Sequence, residues 1–226
     1  MDIFTRDMLG THASAISYAS LMLIDGVLLL AALRIMSNSS VKGNVQKRML
    51  FIALACGAIL GRWALAPIPN VQPVTVLMIM AGSLLGWRRG VGMAFLVAII
   101  TNMQLGAGLW TIFQALGWAL AAILGHKFSH KLIGEDGYLR IKPMIIAGVL
   151  MAFVFDWIVS LSILPTVSDL GLFVNYLMIG IPYDLLHALG NITFALWLVP
   201  SLNLLLQKSE WPEQTSDEIS STNLVV

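Results

Sequence analysis

Residues 177–206 read LMIGIPYDLLHALGNITFALWLVPSLNLLL. The run exceeds the ~20 predominantly apolar residues that a membrane-spanning helix needs, and no lysine or arginine interrupts it. Its strongest polar groups, Tyr183, Asp184, His187 and Asn191, crowd into one half. An apolar helix with polarity confined to one end predicts an all-α integral membrane protein. Composition agrees. The 226 residues are 58% hydrophobic and 11% charged, with mean hydropathy +0.85. A soluble domain carries about 25% charged residues, so this chain has too few to coat one. The same figures exclude disorder, a disulfide scaffold and a collagen-like repeat.

Working outward, six further apolar segments precede this one, at about 16–36, 49–66, 74–87, 91–105, 112–126 and 144–164. Several are shorter than a full span, which predicts tilted or short helices. Arg88, Arg89 and Gly90 read as a tight basic turn between the third and fourth. Seven alternating helices place eleven of the thirteen basic residues on one side: Arg34, Lys42, Lys47, Arg48, Arg88, Arg89, Lys127, Lys131, Arg140, Lys142 and Lys208. Only Arg6 and Arg62 fall opposite. Positive charge marks the cytoplasmic side, so the N-terminus is expected outside and the C-terminus inside the cell membrane. The N-terminus lacks the basic start of a cleaved signal peptide. The tail 208–226 is polar and expected to be disordered. Net charge is +1 with a pI near 7.9, which does not suggest nucleic acid. The lone Cys56 excludes an intrachain disulfide and reads as a buried small residue in an apolar run.

Polar side chains gather at the outer end. Arg62 closes the second segment, and Asn70 and Gln72 sit in the loop PIPNVQP, residues 67–73. Asn102 ends the fourth segment; Trp110, Gln114 and Trp118 open the fifth. Asp156 lies in the outer half of the sixth, and Tyr183, Asp184, His187 and Asn191 in that of the seventh. Asp25, in the middle of the first segment, is the main exception. A charge at mid-membrane costs about 2.5–3.5 kcal/mol on insertion scales, so such residues should pair or line a water-filled cavity. Taken singly, each is accounted for by a structural hydrogen bond. Together they predict an outward-facing polar pocket. Asp184, His187 and Asn191, at i, i+3 and i+7, share a helix face; Trp110, Gln114 and Trp118, at i, i+4 and i+8, form a stripe. Amides alternating with rings suit a neutral, amphiphilic organic ligand. Arg62, Asp156 and Asp184 either touch that ligand or form a buried network, and the residues alone leave both readings open. No catalytic or metal set is expected. Asp184 and His187 have no evident serine or cysteine partner, and His126 and His130 lack the glutamate of His-Glu-x-x-His and lie among lysines. No cofactor is implied. A phosphate-binding Gly-x-x-x-x-Gly-Lys-Ser/Thr loop is missing, so any ATP hydrolysis would belong to a partner.

Ala53, Gly57 and Gly61 recur every four residues, a small-residue seam along one helix face. Such seams let helices approach closely in lipid, either within a bundle or between proteins. With this seam, the stretches RWALAPIPNVQP (62–73), GAGLWTIFQALGW (106–118) and IPYDLLHALGN (181–191) resemble the substrate-binding S components of energy-coupling factor (ECF) transporters, most closely the cobalamin and corrinoid branch. The resemblance covers residues 48–207 and implies a six-helix core, with residues 1–40 holding an extra N-terminal transmembrane helix. It further implies capture of a vitamin-like micronutrient from outside under the 67–73 loop. Docking would be through the seam, here with glycine at two of the family's alanine positions, to a transmembrane T component and two cytoplasmic ABC ATPases. Two other classes compete: a self-sufficient secondary transporter, and an intramembrane enzyme or structural membrane subunit. An inverted repeat or paired broken helices would mark the transporter, and neither is evident.

Overall fold

The computed structural model describes residues 17–37 and 45–209. Arg6, Lys42 and the expected disordered tail from residue 210 onward lie outside them. The described residues are all-helical, with a single isolated β-bridge between Ile133 and Leu139. The helices are α1 (Tyr18–Ser37), α2 (Val45–Ala64), α3 (Val74–Leu85), α4 (Trp87–Leu105), α5 (Trp110–Lys127), the single turn α6 (Ser129–Leu132), α7 (Ile141–Ser160) and α8 (Leu170–Lys208). A 3-10 turn, Leu161–Thr166, follows α7. Three stretches are long and apolar enough to cross a membrane: Ala19–Ser37, Ile141–Thr166 and Leu170–Lys208; the apolar Val74–Leu85 is shorter.

Helix α3 is the hub. It contacts α2, α4, α5, α6, α7 and α8, and all of its twelve residues except Leu84 are buried. This burial explains a segment that is apolar on every side yet too short to span alone. It packs closest on α5. A Cβ at Gly82 would lie 1.9 Å from the carbonyl oxygen of Ala122, and one at Gly125 would lie 2.3 Å from that of Ile79. These glycines bring the two backbones into contact, the packing mode that lipid favours. α1 lies along α4, with Gly92 beneath Met36 and Ala32.

Three expectations are corrected by the structure. Cys56, read as a buried small residue, is exposed on the outer face of α2. The α3–α4 turn is made by Gly86 (φ 85°), and Trp87, Arg88 and Arg89 form the first turn of α4. A left-handed φ is open to glycine and closed to most other residues, so backbone conformation rather than charge sets this turn. The final helix starts earlier than the apolar run. Asp169 caps it, its carboxylate accepting from the Leu172 N–H at 3.0 Å, as N-cap side chains do. Helix α8 therefore has 39 residues with Pro182 and Pro200 inside. At 1.5 Å per residue it is about 58 Å long, roughly twice the ~30 Å hydrocarbon core.

Arg62 lies at one end, and Lys47, Lys131, Arg140 and Lys208 at the other. There Gln46 donates to the Ser209 carbonyl at 2.6 Å. Asn203 exchanges two hydrogen bonds with the Leu139 backbone, at 3.0 and 2.9 Å. The Arg140 N–H donates to the Leu132 carbonyl at 2.8 Å. The polar side chains meet at the opposite end.

Candidate functional site

A cavity of about 80 Å³ lies at that opposite end, lined by Arg62, Asn70, Gln72, Val74, Thr75, Gln114, Trp118, Phe155, Asp156 and His187. Six parts of the fold contribute: the last turn of α2, the 65–73 loop, the start of α3, the first half of α5, the end of α7 and the middle of α8.

Arg62 organises one wall and is only 5% exposed. Its Nε donates to Gln72 Oε1 and one Nη to Gln114 Oε1, each at 3.2 Å. The other Nη donates to Thr101 Oγ1, whose hydroxyl in turn donates to the Val97 carbonyl at 2.6 Å. The guanidinium also lies 4.9 Å from the Trp118 ring centroid, a cation–π distance. Among the described residues no carboxylate comes within 4.0 Å of it. A buried cation is thus held by neutral acceptors and a π face, and it supplies the cavity with positive potential.

The other wall is a relay. Asp156 Oδ2 meets His187 Nδ1 at 3.0 Å, and His187 Nε2 meets Thr75 Oγ1 at 3.0 Å. Phe155 stands edge-on to His187, centroids 5.4 Å apart, and stacks on Trp118 at 5.1 Å. The connectivity hydroxyl–imidazole–carboxylate is that of a hydrolase triad. Thr75, however, is 1% exposed, and the cavity is far below the ~300–1,000 Å³ of ligand pockets, so an acyl group has no approach to its hydroxyl in this conformation.

The 65–73 loop roofs the cavity. Asn70 takes φ 57°, which asparagine tolerates better than most residues. Its amide donates to Asp156 Oδ2 and to the Tyr183 carbonyl, both at 3.3 Å. Pro73 ends the loop and precedes α3.

Seven of the twelve sequence-predicted ligand residues therefore meet: Arg62, Asn70, Gln72, Gln114, Trp118, Asp156 and His187. Five stand outside the lining. Asn102 braces Gln114, donating to its Oε1 at 2.8 Å and to Thr111 Oγ1 at 3.0 Å. Asp184 accepts from Trp157 Nε1 at 3.1 Å. Asn191 donates to the Gly148 carbonyl at 2.9 Å and ties α8 to α7. Tyr183 is exposed and offers only its carbonyl, and Trp110 covers Gly108. Sequence reasoning missed Thr75 and Phe155. Phe155 adjoins Asp156, and Thr75 is the only hydroxyl in the first two turns of α3, so each carried a weak signal. No group of three or more His, Cys, Asp or Glu side chains able to hold a metal occurs among the described residues.

The seam residues Ala53, Gly57 and Gly61 line a second space, a groove of about 440 Å³ between α2 and α8 floored by Leu77 and Met80. A Cβ at Gly57 would meet only Leu77 Cδ1, at 3.6 Å, whereas one at Gly61 would lie 2.4 Å from Pro73 Cγ. The seam thus has two parts: Gly61 packs inside the bundle, and Gly57 opens on the groove.

Comparison with family models, with curated proteins and with solved structures found no match to this chain.

Proposed function

We propose that the chain is the substrate-capturing membrane subunit of an ECF-type importer, binding a vitamin-like micronutrient at the loop-covered end. The observation that carries the proposal is the convergence of nine polar and aromatic side chains, from six separate parts of the fold, on one cavity roofed by the 65–73 loop. In this reading α2–α5, α7 and α8 form the six-helix core and α1 is the extra seventh span. The basic end then faces the cytoplasm and the cavity faces outward, as positive charge in short loops dictates. A corrinoid is the ligand the resemblance favours.

The cavity must open to admit such a ligand. Three hydrogen bonds hold the roof: Arg62–Gln72, Asn70–Asp156 and Asn70 to the Tyr183 carbonyl. At about 1.5–3 kcal/mol for each of the two bonds to Arg62 and Asp156 and about 0.5–1.5 kcal/mol for the third, lifting it costs roughly 3.5–7.5 kcal/mol. Micromolar binding supplies about 8 kcal/mol, so ligand-driven opening lies within reach. The α2–α8 groove fits docking of a T-component helix, because Gly57 and the exposed Ala53 leave it open to lipid. α1 packs on α4 and leaves that groove free.

The test is twofold. Affinity purification from native membranes should recover a large helical partner and an ATPase pair, and the purified chain should bind cobalamin by calorimetry. Absence of both rejects the reading. The Thr75–His187–Asp156 relay favours a second reading, an intramembrane hydrolase. Turnover by the purified chain separates the two: a capture subunit hydrolyses no ester or amide, whereas a hydrolase shows turnover that Thr75→Val abolishes.

A further inference from the structure

A larger cavity lies away from this site, at the basic end. It is an apolar groove of about 840 Å³ between α5 and α7, floored by Ile79 and Ala147 and rimmed by Phe128, Lys131 and Pro143. The tight α3–α5 contact at Gly125 and the helix break at Phe128 draw α5 away from the first turns of α7. Along α7 the groove runs from Pro143 to Val154, about 16 Å at 1.5 Å per residue. That is half of the ~30 Å hydrocarbon core, the depth of one leaflet.

Only its mouth is charged. The Lys127 and Lys131 ammonium groups lie 5.9 and 5.6 Å from the Phe128 ring centroid, so both cations are gathered over one ring at the rim. The N-terminus of α7, with Lys142 in its first turn, opens at the same end beside the Leu132 carbonyl. Two lysines flanking the Phe128 ring and the positive end of a twenty-residue helix dipole thus lie at the same end of a leaflet-deep apolar slot. The geometry points to a binding site for one anionic phospholipid, its acyl chain along α7 and its phosphate between Lys127 and Lys131. The inference rests on the bundle lying in a bilayer and is independent of what the polar cavity captures.

The test uses the full chain incorporated into vesicles of equal phosphatidylglycerol and phosphatidylcholine with matched acyl chains. The chain is then extracted gently and weighed by native mass spectrometry. Retained phosphatidylglycerol should exceed phosphatidylcholine by up to about thirtyfold, the scale expected of two lysines at about 1 kcal/mol each at a membrane surface. Lys127→Gln with Lys131→Gln should bring the ratio to about one, and Ala147→Phe, which fills the slot, should remove both lipids. Equal retention by the unmodified chain, or an unchanged ratio in the lysine double variant, overturns the site; the lysine variant decides alone if Ala147→Phe does not fold. Resistance of the chain to carbonate extraction from membranes tests the bilayer placement separately.

Discussion

Substituting the two glycines of the seam separates docking from packing. At Gly57 a new Cβ meets a single methyl of Leu77 at 3.6 Å, an ordinary contact, and the rest of a larger side chain enters the 440 Å³ groove. At Gly61 the same atom lands 2.4 Å from Pro73 Cγ. The proline ring cannot swing aside, so the 65–73 loop or α2 must shift. Overpacking of this kind costs about 1–3 kcal/mol. For a domain of 150–250 residues each kcal/mol moves Tm by about 2–4 °C, so Gly61→Ala should lower Tm by roughly 2–12 °C. It should also weaken ligand binding, because Pro73 adjoins Gln72, which accepts from Arg62. Gly57→Trp should leave Tm within about 2 °C and ligand affinity within about threefold, below about 1 kcal/mol, while abolishing co-purification with the partner subunits. The assay is thermal unfolding, cobalamin calorimetry and pull-down on the same detergent-purified preparations. If Gly57→Trp loses stability and binding together, the groove is an internal packing surface and the docking role fails.

Three further outcomes follow from the geometry. Gln114→Ala and Trp118→Ala should each weaken cobalamin binding, read by calorimetry; Gln114 accepts from both Arg62 and Asn102, so its loss leaves buried donors unsatisfied and should also cost about 1–3 kcal/mol of stability, read as a lowered Tm. Gly82→Leu should be the most damaging single change in the core, since a Cβ there meets the Ala122 carbonyl at 1.9 Å; loss of a monodisperse peak in size-exclusion chromatography checks it. The chain reconstituted alone in vesicles should bind cobalamin without accumulating it under a sodium or proton gradient, and gradient-driven accumulation would instead establish a secondary transporter.

The helices were legible in the sequence because apolar runs between polar breaks are themselves the signal. Boundaries were less so where backbone conformation, not hydropathy, decides: Gly86 takes the turn that Arg88 and Arg89 advertise, and Asp169 starts α8 well before the run at 177. The candidate site was legible to the level of an end of the bundle. Helical spacing groups residues on a face but says nothing of what stands opposite. His187 and Asn191 are one turn apart, yet His187 meets Asp156 and Thr75 while Asn191 meets the Gly148 carbonyl. Thr75 carried only a weak signal for a related reason. It is the second residue of α3, ahead of any intrahelical i−4 carbonyl, and the position of α8 supplies its hydroxyl with His187 as partner.

Charge placement explains why the chemistry sits where it does. The cavity holds one buried cation, Arg62, and one carboxylate, Asp156, each already engaged: Arg62 by amides, a hydroxyl and the Trp118 face, Asp156 by His187 and Asn70. Two of these partners, Asn70 and Gln72, belong to the roof. Lifting the loop therefore removes one hydrogen bond from each charged group at once and leaves both facing the newly opened space. A ligand that offers an acceptor to Arg62 and a donor to Asp156 replaces what the loop withdraws, so the cost of opening is returned on binding. A purely apolar molecule of the same size returns neither and leaves two buried groups unsatisfied, a penalty of about 1–3 kcal/mol or more for each. In the proposed capture reading, selectivity at this end of the bundle would follow from the roof and the ligand competing for the same two charges, with Trp118 and Phe155 offering ring faces that add affinity.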